Sequence, residues 1–133
     1  MQLFIEGNRT LREIQLEFRA FYPYLKILFF KKMEFDNQFF QIPEAQESFM
    51  KVSDIATKKS GEIMAVVDQT ELNELMHLFE KMNGIHIRFM HFTKAGWVVA
   101  EEIRAVQLDE LNEQGRRSFH DLHNVTAMPD HLL

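Results

Sequence analysis

Histidine is the residue type from which a small chain without cysteine would build chemistry, so the six histidines of this 133-residue sequence come first. His120 and His123 stand three apart in His120-Asp121-Leu122-His123, with Asp130-His131 close behind. On a helix that spacing sets both imidazoles on one face, as metal ligation requires. No second ligand pair stands elsewhere at matching spacing, and the His-Glu-x-x-His zinc pattern is absent. His120, His123 and His131 are thus the only metal candidates, and the plainer reading makes them members of a polar C-terminal arm. His86 and His91 differ in parity along an extended strand and point to opposite faces, as do Glu101 and Glu102, which rules each pair out as a local acid–base couple. The four serines lack a Gly-x-Ser-x-Gly elbow. Lys58-Lys59-Ser60-Gly61 has the wrong glycine–lysine order for a phosphate loop, and no dinucleotide glycine pattern occurs. The chain reads as non-enzymatic, with no cofactor.

Composition narrows the remaining classes. The absence of cysteine excludes disulfides, thiolate metal sites and thiol catalysis. Hydrophobic residues make up 46% and charged residues 26%, which places the chain among globular domains, and its length suits one core. The first residues lack the basic and apolar regions of a signal peptide, and no apolar run reaches the roughly 20 residues of a membrane span. A cytoplasmic protein with no membrane association is the expectation. Net charge is −5, with residues 1–60 at +1 and residues 61–133 at −6. The basic pairs Lys31-Lys32, Lys58-Lys59 and Arg116-Arg117 are scattered, which argues against nucleic acid as a partner.

The elements that must position any site come from an internal repeat. Residues 3–30 and 64–91 align at an offset of 61. Each copy opens on an apolar run, turns, and continues as a helical stripe: Leu11, Ile14, Phe18 and Phe21, then Leu72, Leu75, Phe79 and Met82. Thr10-Leu11-Arg12-Glu13 and Asp68-Gln69-Thr70-Glu71 both have the capping-box form. Pro23 ends the first helix, and Asn83-Gly84 ends the second as a left-handed cap. Strands follow at 24–30 and 85–92, with a hairpin at 93–96 and a return strand at 97–103. The spacing then predicts a short helix through Leu108 and Leu111 that stops at Gly115.

The fold class expected is α+β: two β-α-β units in a ferredoxin-like sheet with helices on one face, an extra hairpin strand and a short C-terminal helix. One domain, 1–133, divides into a first unit (1–32), a phenylalanine-rich insert (33–60), a second unit with its hairpin (61–104), and a short helix and arm (105–133). In the insert, strands are expected at 33–35 and 38–42, around Asp36-Asn37, and helical spacing from Phe49 to Ala56.

Ile55, Gly61-Glu62-Ile63, the stretch Thr70 to Phe79, Gly84-Ile85, Gly96-Trp97 and then Leu108, Asn112 and Gly115 carry a pattern, extended upstream by Tyr24-Leu25-Lys26-Ile27 and Phe29-Phe30. In these residues the chain resembles a family of short, uncharacterised bacterial proteins. The resemblance implies the same strand, capped helix, strand and hairpin architecture, and it transfers no functional residues.

What remains is surface. Thirteen phenylalanines fill a core well or supply an aromatic-rich contact face, and Phe29-Phe30 and Phe39-Phe40 each turn one ring away from the other. With Trp97 they form a candidate interface. The expected role is a protein-interaction module with a protein partner or a second copy. The alternative is a regulatory domain that binds a small anionic metabolite at the strand-to-helix turn Asn8, Arg9 and Arg12. A cryptic enzyme or metal site ranks third.

Overall fold

Thr10 starts the first helix as its sequence predicts: its Oγ1 accepts from the Glu13 amide at 3.1 Å, and Glu13 Oε1 accepts from the Thr10 amide at 3.2 Å. In the structure, a computed structural model, that helix is α1, Leu11–Phe21. The model describes residues 1–33, 37–58, 62–67, 69–100 and 105–132, with the backbone alone for 62–64 and 124–132. Leu11, Ile14 and Phe18 are fully buried, but Phe21 is 56% exposed. The helix ends there, and the cap residue Tyr22 bends back so that its amide donates to Phe18 O, putting the tyrosine into the core instead.

Strand β1 (Gln2–Ile5) precedes α1, and β2 (Leu25–Lys32) follows it. The insert supplies β3 (Phe39–Gln41), a 3-10 turn at Glu44–Gln46 and the short α2 (Val52–Ile55). The second unit gives β4 (Glu62–Ala65), α3 (Leu72–Asn83), β5 (His86–Thr93) and β6 (Gly96–Val99), followed by α4 (Leu108–Leu132). Gly84 closes α3 at φ 63°, the left-handed cap expected there. The N-cap of α3 is Glu71 with no side-chain bond, and Thr70 Oγ1 accepts from the Val67 amide; Asp68, the first residue of the expected second capping box, lies outside the described residues.

The α+β class holds, with a different division of strands. Antiparallel β3-β2-β5-β6 make a four-stranded sheet, while β1 and β4 pair with each other in a two-stranded ribbon. A ferredoxin-like order would place all of these in one sheet. Here β1 pairs with its counterpart β4 and β2 with its counterpart β5, while β3 and β6 lie at the two edges, which is what a local two-fold between the copies produces. Strand residues 34–35 and 101–103 of the sequence reading lie outside the described residues. Leu25, Ile27 and Phe29 of β2 and Ile87 and Phe89 of β5 face the helices and are buried. The α1 and α3 stripes close on them, with Phe18 and Phe89 rings 5.8 Å apart. Each such side chain contributes about 1.5–3 kcal/mol by leaving water.

The repeat is longer than its sequence suggested. Leu11 N donates to Met50 O and Val52 N to Arg9 O; in the second copy Leu72 N donates to Val106 O and Leu108 N to Thr70 O. The same kind of bridge, Thr10 to Lys51 and Glu71 to Gln107, ties each strand-to-helix turn to the start of a later helix. The insert is therefore the first copy's version of the segment leading into α4, so each unit is β-α-β-β-α. Val52 and Ile55 match Leu108 and Leu111, all buried.

The C-terminal helix is not short. It runs 25 residues and passes through Gly115 without stopping. A Cβ at Gly115 would lie 2.6 Å from Tyr24 Cβ and 3.4 Å from Phe92 O, so this glycine permits close approach of α4 to the sheet. Asn112 Oδ1 accepts from the Tyr24 amide at 2.9 Å beside it. No described helix is both long and apolar enough to cross a membrane.

Candidate functional site

Period-two alternation gives the four-stranded sheet a second face, turned away from α1 and α3. Register sets its occupants: Lys26 opposite Met90, Leu28 opposite Arg88, Phe30 opposite His86. Val99 lies opposite Met90 on β6, and Phe39 opposite Lys32 on β3. The apolar members Leu28, Phe30 and Met90 are half-buried, and Phe39 and Val99 are exposed. α4 meets this face at one end, where Phe119 packs 5.6 Å from the Tyr24 ring and 5.7 Å from Phe92.

The charge of this sheet departs from the rest of the chain. Its four strands hold Lys26, Lys31, Lys32 and Arg88 and no carboxylate. Four positive charges in a chain of net −5 leave −9 for everything else. Lys26, Lys32 and Arg88 share the outward face by register. Burial, and then the neighbouring Arg88, push the His86 imidazole below its ordinary range, against the pull of Glu80. Both effects favour the neutral imidazole, which has Phe39 stacked on it at 4.4 Å and Phe30 edge-on at 5.3 Å. Beside them Lys32, Phe39, Thr57, Lys58, Glu80 and His86 line a cavity of about 230 Å³.

The five interface candidates divide between the two faces. Phe29 is 1% exposed and belongs to the core, because its parity matches Leu25 and Ile27. Phe30 and Phe39 join the outward face, while Phe40 is exposed on the opposite side of β3, paired with Lys31. Trp97 lies on the outward face opposite Phe92, with Lys26 Nζ 4.3 Å and Arg19 Cζ 5.4 Å from its ring centroid. The residues that sequence reasoning missed here are Lys26 and Arg88. They are single cations inside apolar strands, and only the β2–β5 register brings them together.

The turn Asn8, Arg9 and Arg12 has a different occupation from that expected. Arg9 Nη1 donates to Glu17 Oε2 at 2.7 Å and to Phe4 O at 3.0 Å, with Glu13 Oε2 3.5 Å from its Nε. Arg12 pairs loosely with Glu44 at 3.7 Å. The first amides of α1 are committed as well: Leu11 to Met50 O, Arg12 to Glu47 O, and Glu13 to Thr10 Oγ1. Arg9 and these helix amides are thus satisfied by the chain itself, while Asn8 is exposed. His120 and His123 are exposed on α4, where His123 Nδ1 lies 2.9 Å from Phe119 O and its ring 3.9 Å from that of Phe119. The His131 side chain lies outside the described residues. Among the described residues no group of three or more potential ligands converges.

No protein-family model, no curated protein and no solved structure matches the chain.

Proposed function

We propose that the chain is a non-enzymatic interaction module that docks a partner protein on the outward face of its four-stranded sheet. The observation that carries this reading is the pairing on one face of incompletely buried apolar side chains, Leu28, Phe30, Phe39, Met90 and Val99, with three cations. Apolar side chains left partly open beside cations have the mixed composition of a partner-binding patch. A second copy laid face to face would set Lys26, Lys32 and Arg88 against their own counterparts across a two-fold, which favours a different protein as occupant.

Photo-crosslinking tests this in the cell that makes the protein. Benzoylphenylalanine at position 28 is expected to give one discrete adduct, and at position 16, an exposed apolar site on α1, none. Adducts at 16 matching those at 28, or none at 28, would remove the face as the docking surface.

A further inference from the structure

Resting on that docking reading, we infer that the partner presents an acidic, amphipathic segment to the sheet. The argument is electrostatic and steric together. The outward face carries three of the sheet's four cations in a chain that is otherwise −8, so a long acidic partner is attracted to this face and repelled by the remainder, which fixes where it lands. Lys26 and Lys32 bracket Leu28 and Phe30 along β2, and Arg88 stands opposite Leu28, so acidic side chains flanking an apolar stripe meet a cation on either side.

Single-stranded nucleic acid shares the anionic chemistry but fits this face less well. Its affinity comes from bases stacking on open aromatic rings together with counterion release. Here Trp97 already carries Lys26 and Arg19 near its ring, and Phe39 is stacked on His86. The side chains left at the centre are the aliphatic Leu28, Met90 and Val99, which suit an apolar helix stripe.

The test uses the full chain and three labelled probes in fluorescence anisotropy: an 18-residue helical peptide with a leucine stripe flanked by glutamates, the same peptide with lysines for glutamates, and a 20-mer of thymidylate. The glutamate peptide is expected to bind at least tenfold more tightly than either other probe, and to weaken as salt rises. Lys26→Glu and Lys32→Glu should each weaken it several-fold, and Lys51→Glu, outside the sheet, should leave it unchanged; Lys32 is exposed, so its variant keeps the fold. Tighter binding of the thymidylate, equal binding of both peptides, or no effect of the sheet variants would overturn the acidic-partner inference. If crosslinking from position 28 persists in that case, the docking surface stands and only its charge preference falls.

Discussion

Gln15 and Glu47 show where a single residue decides what the chain can do. β3 is too short to reach Ile27, and Gln15 fills the gap as a strand would: its Nε2 donates to Ile27 O at 2.6 Å, and its Oε1 accepts from the Ile27 amide at 2.8 Å. Glu47 lies buried behind it, 3.5 Å from Nε2, and desolvation raises its carboxyl above the ordinary range despite that bond. With a raised folded-state value, the native chain holds this proton more tightly than the unfolded one. Stability from this group is therefore complete below the ordinary value of 4.5 and declines as pH climbs through the raised one. Glu47→Gln should accordingly raise the melting temperature at pH 7 and change it little at pH 4; a loss of stability at pH 7 would mean the charged form is the one the fold needs. Neither residue was legible in the sequence. A glutamine at the edge of the apolar stripe, four residues after Leu11 and three before Phe18, and a glutamate in a polar loop look like a solvated pair until the fold buries them.

At the scale of elements, the helices and strands of both repeats were legible because 3.6- and 2-residue periods and one capping box state them directly. The second half of each repeat was hidden by a change of spacing. Leu11 and Leu72 differ by 61, whereas Val52 and Leu108 differ by 56, so the first copy holds five more residues before its second helix. Gly115 was misread for a physical reason: a glycine late in a helix signals a stop unless something lies against it, and Tyr24 does, from 91 residues away. The two readings predict opposite signs. In an open helix Gly115→Ala would stabilise by about 1 kcal/mol. Packed on Tyr24 it should destabilise by about 1–3 kcal/mol, read as a lowered denaturation midpoint in urea. A midpoint that rises would contradict the packing of α4 on the sheet.

For the whole molecule, the charge map carries the functional reading, and sequence order conceals it. Counted along the chain, the first sixty residues are nearly neutral and the basic pairs are dispersed. Folding collects Lys26, Lys32 and Arg88 on one surface, on strands whose described residues hold no carboxylate. The candidate interface was legible in part for the same reason: alternation put the two rings of each phenylalanine pair on opposite faces, and only the packing of the helices and the register of β2 against β5 and β3 could say which ring turns outward and add the cations. The same face also separates the molecule's apolar surfaces, since exposed Leu16 on α1 and Val67 beyond β4 lie off it. The most direct test is a methyl NMR titration of the full chain, labelled at leucine, valine and methionine, with the glutamate peptide. The account predicts that Leu28, Met90 and Val99 shift while Leu16 and Val67 stay in place. Movement of Leu16 or Val67 with the sheet methyls unmoved, or no movement at saturating peptide, would contradict it.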